Sequence, residues 1–247
     1  MDIQGNGLLA RAFASTEVRD DTVTVFAKGV ADSRTTSIAE FERESRELDG
    51  VIRACRSTGR TLVYLSGGGA IYGRRDSVRR EDDDLIPDTM YGRHQVACEA
   101  AIVSSGIDHL IARIPNAVGH PQRPAQLVPA LVQQVRDGRV SVVPGASRDL
   151  IDASDVADLV TRLLRVGARN LAVNVASGIS TDVGDLVAHI ERLLDATAEH
   201  VVLDAAPDPQ RFSIERLQAF LPDWRPRPDY PFGVLERYVR IAALDRA

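Results

Sequence analysis

Tyr91 stands four residues ahead of Gln95 in the stretch Thr-Met-Tyr-Gly-Arg-His-Gln-Val-Ala-Cys-Glu, residues 89 to 99. Residues four apart share one face of a helix, so a phenol and an amide would point together into one cleft. A phenol so placed is a general acid or base when a neighbour tunes its pKa, and a plain donor when none does. Gln95 can hydrogen-bond a ligand hydroxyl but brings no charge. Histidine is a common acid or base, yet His94 lies about 100° around the helix from Gln95. Cys98 falls on roughly the same face as Tyr91, one level deeper, and reads as core. His120, after the Val118-Gly119 turn, is a second histidine with a possible catalytic role, although a lone histidine more often packs or faces solvent. No set of His, Cys and Asp has metal-ligand spacing. Ser66-Gly67-Gly68 lacks the G-x-S-x-G pattern of a nucleophile elbow.

A second chemical signal opens the chain. Asp2 to Gln4 is a short strand candidate, followed by Gly5-Asn6-Gly7-Leu8-Leu9-Ala10 and an apolar helical face of Leu8, Leu9, Ala12 and Phe13. In a strand–turn–helix context, G-x-G-x-x-A reads as a dinucleotide turn. Glycines let the backbone approach a pyrophosphate, and the helix N-terminus offers it free N–H groups.

The 247 residues are 44% hydrophobic and 26% charged, with a net charge of −5. That is ordinary globular composition, enough for one large domain or one and a half. The mild acidic excess argues against nucleic acid or an anionic membrane surface as the main partner. Two cysteines, Cys55 and Cys98, point to a reducing compartment without disulfides. The first residues show no signal-peptide pattern, and no apolar run approaches the ~18 residues that span a bilayer. A cytoplasmic location is expected.

Strand and helix signals alternate along the chain. β-branched and apolar runs mark strands at Thr22–Ala27, ending in Lys28-Gly29-Val30-Ala31, and at Thr61–Leu65. Further strands are read at Leu110–Ile114, Val140–Val143, Leu171–Val175 and Val201–Leu203. Helical patterns cover Ile38–Cys55, Tyr91–Ser105, Leu127–Arg136, Ser154–Val166, Val183–Leu194 and Val234–Leu244. Arg74 to Asp84 reads as a surface loop whose acidic run, Glu81-Asp82-Asp83-Asp84, reads as a solvated face, with a metal site as the lesser alternative. Pro207 to Pro231 is a proline-rich tail holding Trp224. Alternating strands and helices give an α/β protein with a parallel sheet covered on both faces.

With these pieces in order, the chain resembles an extended short-chain dehydrogenase/reductase of the NAD-dependent epimerase/dehydratase family. Gly5 to Ala10 resembles the family's first loop, and Tyr64-Leu65-Ser66 through Tyr72-Gly73 its strand, serine-rich turn and Tyr-Gly. Tyr91 to Gln95 sits where Tyr-x-x-x-Lys belongs. Arg113-Ile114-Pro115-Asn116-Ala117-Val118-Gly119 looks like Arg-x-x-Asn-x-x-Gly. Arg148 to Ala157 resembles the Arg-Asp-Phe-Ile-x-Val-x-Asp-Val-Ala signature, and Asn174 to Gly178 matches Asn-x-x-x-Gly.

The resemblance implies a shortened, doubly wound Rossmann-like sheet in one domain, residues 1–247. Its core would take 1–118 and 150–175, and a small substrate lobe about 119–149 and 176–247. It further implies NAD or NADP held by Gly5, Asn6, Gly7, Leu8, Leu9, Ala27, Lys28, Gly29, Leu65, Ser66, Gly67, Gln95, Ile114 and Pro115. A substrate would meet Gly68, Gly69, Tyr72, Asn116, His120 and Arg148, with Tyr91, Gln95, Ser66 and His94 as the catalytic candidates. Pairing of two copies through helices near the catalytic one is also implied.

Three departures qualify this. Only three strands precede the catalytic helix where the family has five, so two strands and their helices are missing after the first helix. The acidic residue expected about 20 residues past the glycines is replaced by Ala27 and Lys28. The family's serine or threonine and its lysine are replaced by Gly68 and Gln95, which leaves Tyr91 alone. Two readings follow: an NAD(P)-binding epimerase, dehydratase or ketoreductase acting on a sugar, nucleotide sugar or other polyhydroxylated metabolite, or a member that has lost the cofactor's hydride chemistry and serves as a non-redox isomerase, cyclase or binding protein.

Overall fold

The computed structural model describes residues 1–17, 20–29 and 34–244. In chain order its strands are β1 (Asp2–Gln4), β2 (Val23–Phe26), β3 (Thr61–Gly67), β4 (His109–Ile114), β5 (Asn116–Val118), β6 (Arg139–Val142), β7 (Ser147–Asp152), β8 (Leu171–Asn174), β9 (Ser180–Asp182) and β10 (Glu199–Val202). The helices are α1 (Leu8–Ala14), α2 (Ile38–Thr58), α3 (Gly68–Ile71), α4 (Met90–Ser105), α5 (Leu127–Arg136), α6 (Ala153–Arg165), α7 (Val183–Leu194), α8 (Glu215–Phe220) and α9 (Tyr230–Leu244). Val30 and Ala31, read above with the second strand, lie outside the described residues.

Side-chain alternation sorts the main sheet's residues into two cores. Val23, Val25, Val63, Leu110, Ala112 and Ile114 point to one face, where Phe13 of α1 and Val156, Leu159 and Leu163 of α6 cover them. Phe26, Leu62, Tyr64 and Ile111 point to the other, beneath Leu48 and Ile52 of α2 and Ile102 of α4. Strands buried on both sides read as continuous apolar runs, the mark of a parallel sheet between helical layers.

The strands pair in parallel in the order β1-β2-β3-β4-β8. β1 is therefore an edge strand, as expected if two strands are missing beyond it. Each step from β1 to β4 moves the same way across the sheet, yet α1 packs on α6 on one face and α2 packs on α4 on the other. The β1–α1–β2 crossover thus has the opposite hand to β2–α2–β3. Such connections are almost always right-handed, so the reversal is an exception to that rule.

Caps fix the two helices nearest the site. Ser37 Oγ accepts from the Glu40 N–H at the start of α2, and Thr89 Oγ1 accepts from the Gly92 N–H at 2.9 Å at the start of α4. Gly59 and Gly106, both left-handed, end them.

The C-terminal lobe has its own core. Val128 and Leu131 of α5, Leu186 and Ile190 of α7, and Val234 and Leu235 of α9 pack around β6, which pairs in parallel with β10. Sequence reading gave the whole of 176–247 to this lobe. The structure instead returns the proline-rich segment to the main sheet: Leu217 and Leu221 join the core beneath α6, and Trp224 Nε1 donates to the Ala176 carbonyl at 3.0 Å. Prolines obscured the short helix α8 that carries this contact.

The loop at Arg74–Asp84 also differs from its reading as a solvated surface. Arg79 is fully buried, bridged to Phe212, and donates to the carbonyls of Gly73 and Pro209. Within the acidic run, Asp82 pairs with Arg216, Asp83 with Arg75, and Glu81 accepts the Asn174 N–H at 2.8 Å. These charges latch the loop to β8 and to α8.

Leu217→Ala should therefore cost about 2–5 kcal/mol, the usual loss for a buried leucine. Val202→Ala, at an exposed site on β10, should stay within about 0.5 kcal/mol. Urea unfolding of both variants checks the docking of α8.

Candidate active site

Four turns lie side by side along the carboxyl edge of the sheet: Gly5–Gly7 after β1, Ala27–Gly29 after β2, Gly67–Gly69 after β3 and Pro115 between β4 and β5. α1 and α2 leave the neighbouring ends of β1 and β2 toward opposite faces of the sheet. That is the place where open α/β sheets bind ligands. Gly5, Asn6 and Gly7 are exposed there, and no side chain caps α1. Gly5 has φ +139°, and a Cβ on it would lie 2.4 Å from the Ala27 carbonyl oxygen, so only glycine fits.

Tyr91 opens α4, with its hydroxyl against the end of β3: a Cβ on Gly67 would sit 2.6 Å from Tyr91 Oη. That hydroxyl has no hydrogen-bond partner among the described residues. Burial first, then the Glu44 carboxylate and the Cys98 thiol, push its pKa above the ordinary phenol value. Tyr91 is thus a protonated donor at neutral pH.

Gln95 is buried and turned inward. Its Oε1 accepts from the Gly67 N–H at 3.1 Å and from Tyr64 Oη at 3.2 Å, while Nε2 donates to Glu44 Oε1 at 3.5 Å. The amide therefore ties α4 to β3 and α2. His94 also turns away from the crevice, stacking on Phe41 and placing Nε2 3.2 Å from Glu44 Oε2 and 3.6 Å from Cys98 Sγ. These three donor atoms lie within 4.8 Å of one another. Spacing along the chain could not reveal the set, because Glu44 comes from α2. A signal did exist: Glu44 interrupts the apolar stripe of Phe41, Leu48 and Ile52.

Two sequence-read site residues belong to the interior instead. Ser66 is buried and donates to Glu99 Oε1 at 2.5 Å. Tyr72 is buried too, donating to Asn174 Oδ1 at 2.8 Å and accepting from Arg113 Nη1 at 3.0 Å; burial pushes its phenol up to about 12. Arg113 and Glu99 form the centre of this web at 2.7 Å. A buried ion pair needs such added hydrogen bonds to offset its desolvation. The motif residues at 66, 72, 99, 113 and 174 thus hold β3, β4, β8 and α4 together.

On the substrate side, Asn116 Nδ2 donates to the Asp149 carbonyl and to Gln210 Oε1, and Gln210 lies over Gly69. Arg148 pairs with neither Asp149 nor Asp152. It reaches Asp208 at 3.4 Å, and the same carboxylate holds Arg79 at 3.1 Å. Asp208 and Gln210, on the segment read as a tail, were not legible as site residues. His120 packs against Tyr238 of α9. Lys28 pairs with Glu47 at 3.9 Å with both side chains over a third exposed. Leu9, Leu65 and Ile114 pack into the core below, and Leu8 lies against Gly119.

Fold and site together describe a Rossmann-type protein with a tyrosine-headed helix beside its crevice. The chain belongs to the NAD dependent epimerase/dehydratase family, whose model matches residues 1–176. It is 26% identical over 147 residues to the dTDP-4-dehydro-6-deoxyglucose reductase of Escherichia coli, a match over 56% of this chain and 46% of that protein. The chain thus spans about half the length of that relative. Among solved structures, it resembles MoeE5 in complex with UDP-glucuronic acid and NAD, with TM-score 0.78 and 20% identity over 90% of this chain and 80% of that one. The UDP-glucose 4-epimerase of Thermotoga maritima with UDP-glucose is similar, with TM-score 0.78 and 19% identity over 97% and 82%.

Two outcomes follow from this geometry. A Cβ on Gly68 would lie 3.1 Å from the Ile114 carbonyl and 3.2 Å from the Arg113 carbonyl carbon. Gly68→Ser should lower stability by roughly 1–3 kcal/mol in denaturant unfolding and install no activity. Asp149, fully buried, accepts from Ser177 Oγ and from the Ser177 and Gly178 N–H groups, yet burial raises its carboxyl to about 7. A raised carboxyl pKa favours the folded state at low pH, and that contribution is lost as pH rises toward the folded value. The stability difference between wild type and Asp149→Asn should therefore shrink in the wild type's disfavour from pH 4 to pH 7.

Proposed function

We propose that the protein binds NAD or NADP across the crevice between β1 and β2 and acts on a sugar-type, polyhydroxylated small molecule, with Tyr91 as its proton donor. The observation that carries this reading is the row of open turns along the carboxyl edge, from exposed Gly5–Gly7 to the Tyr91 hydroxyl over Gly67. Relatives bound to NAD and to UDP-sugars support it. The adenosine end of the cofactor would meet only the edge of β1, since among the described residues nothing pairs beyond that strand. Affinity would then rest on the pyrophosphate and nicotinamide halves.

A second reading is favoured by one specific observation. Gln95, at the family's lysine position, has its amide engaged by Gly67, Tyr64 and Glu44. Burial first, then Glu44 and Cys98, raise the phenol's pKa. Tyr91 would then donate a proton in a non-redox isomerisation or cyclisation, or the cleft would only bind. Pairing of two copies belongs to the same proposal; α2 and α4 expose Ile38, Met90 and Val103 toward solvent.

Calorimetric titration with NAD, NADP and their reduced forms separates the readings. Micromolar binding of at least one form supports the cofactor, and no binding at millimolar concentration overturns it. If cofactor binds, its absorbance on adding a dTDP- or UDP-hexose reports hydride transfer. Tyr91→Phe should abolish turnover of any kind while leaving cofactor affinity within a few-fold of wild type.

A further inference from the structure

The buried cluster behind Tyr91 has a composition that protein cores rarely assemble. A carboxylate, an imidazole and a thiol meet between α2, α4 and β3, and all three residues are buried. Their side chains come from two helices. His94 and Cys98 are one turn apart on α4, which puts them on one face and aims both at the same point. Glu44 faces them from α2.

The geometry around His94 Nε2 is the telling feature. This one atom is 3.2 Å from Glu44 Oε2 and 3.6 Å from Cys98 Sγ. A single ring nitrogen that donates its one proton to the carboxylate leaves the thiol at 3.6 Å without a hydrogen bond from it. As edges of a coordination tetrahedron these two distances fit, and the whole set of donors lies within 4.8 Å. Ligand bonds of about 2.0–2.1 Å to nitrogen, 2.0–2.2 Å to oxygen and 2.3 Å to sulfur give N–O and N–S edges of roughly 3.3 and 3.6 Å. The outer shell fits as well. Glu44 Oε1 accepts from Tyr64 Oη at 3.2 Å and Gln95 Nε2 at 3.5 Å, and Oε2 lies 3.2 Å from His94 Nε2. Hydrogen bonds of this kind fix a ligating carboxylate's orientation.

We propose that Glu44, His94 and Cys98 bind one divalent transition-metal ion, with zinc the best match for a mixed O, N and S donor set. Thiolate and carboxylate charges neutralise the dication, so burial of both acidic groups is compensated at a single point. Three protein donors are the pattern of sites that keep an exchangeable fourth position, rather than of closed structural sites. The ion also pins α2 to the first turns of α4, directly behind the Tyr91 phenol. The proposal does not depend on whether a dinucleotide is bound.

Full-length protein treated with chelator and desalted, then titrated with cobalt(II), tests it. The expected result is one cobalt per chain, with the visible bands of tetrahedral cobalt and a thiolate-to-cobalt charge-transfer band, all displaced by added zinc(II). Cys98→Ser should remove the charge-transfer band, and His94→Gln should weaken cobalt binding at least about tenfold. Cys55→Ser, at the other thiol, and His200→Gln, in an exposed pair with Glu191, should leave the wild-type spectrum unchanged. Should a ligand variant fail to fold, the wild-type spectrum still decides. Absence of stoichiometric binding overturns the proposal, as does cobalt bound without a thiolate band, or a band lost in Cys55→Ser.

Discussion

The opposite-face departure of α1 and α2 from two neighbouring parallel strands is the constraint on which the rest of this structure depends. In doubly wound sheets a ligand crevice forms where strand order reverses, because helices on either side of that point leave for opposite faces. Here the order β1-β2-β3-β4-β8 never reverses. The crevice persists because the β1–α1–β2 connection takes the uncommon hand, which keeps α1 with α6 and α2 with α4. Losing two strands beyond β1 therefore trims the outer wall of the crevice without closing it. Gly5, pressed against the Ala27 carbonyl, is the local signature of that close approach.

Behind the crevice, buried polar groups do the work of alignment. Arg113 and Glu99, with Ser66, Tyr72 and Asn174, lock the central strands to α4 and to the 74–84 loop. Each polar atom in such a web must be satisfied, since an unpaired buried group costs far more than a hydrogen bond gains. Gln95 performs a related task one turn away, bridging α4, β3 and α2. Where the resemblance implies a lysine, this chain carries an amide bonded inward. Gly68 is part of the same tightening, because β4's backbone leaves little room for a side chain there.

Much of the fold was legible because strong local signals agreed. Apolar runs at Thr22–Ala27 and Leu110–Ile114 and ordered motifs from Gly5 to Gly178 gave the family, the strand count before α4 and the sheet's trimmed edge. Other features needed three dimensions. Prolines around Glu215–Phe220 hid a helix, and Arg79 looked like one charge in a mixed loop although it is fully buried. Ser66 and Tyr72 matched motif positions by type, yet only packing shows that their hydroxyls face inward. Arg148 turned out to share Asp208 with Arg79 across some sixty residues of chain, a contact that no local spacing encodes. Glu44 was the missed clue, a carboxylate on an otherwise apolar stripe.

Backbone amide NMR of the full chain with added NADH and NADPH most directly tests the central claim that the trimmed sheet keeps a working crevice. The account predicts shifts concentrated at Gly5, Asn6, Gly7, Ala27, Lys28 and Gly67, with β10 in the lobe unaffected. Saturating reduced cofactor that leaves those amides unmoved, or moves only the lobe, would contradict it.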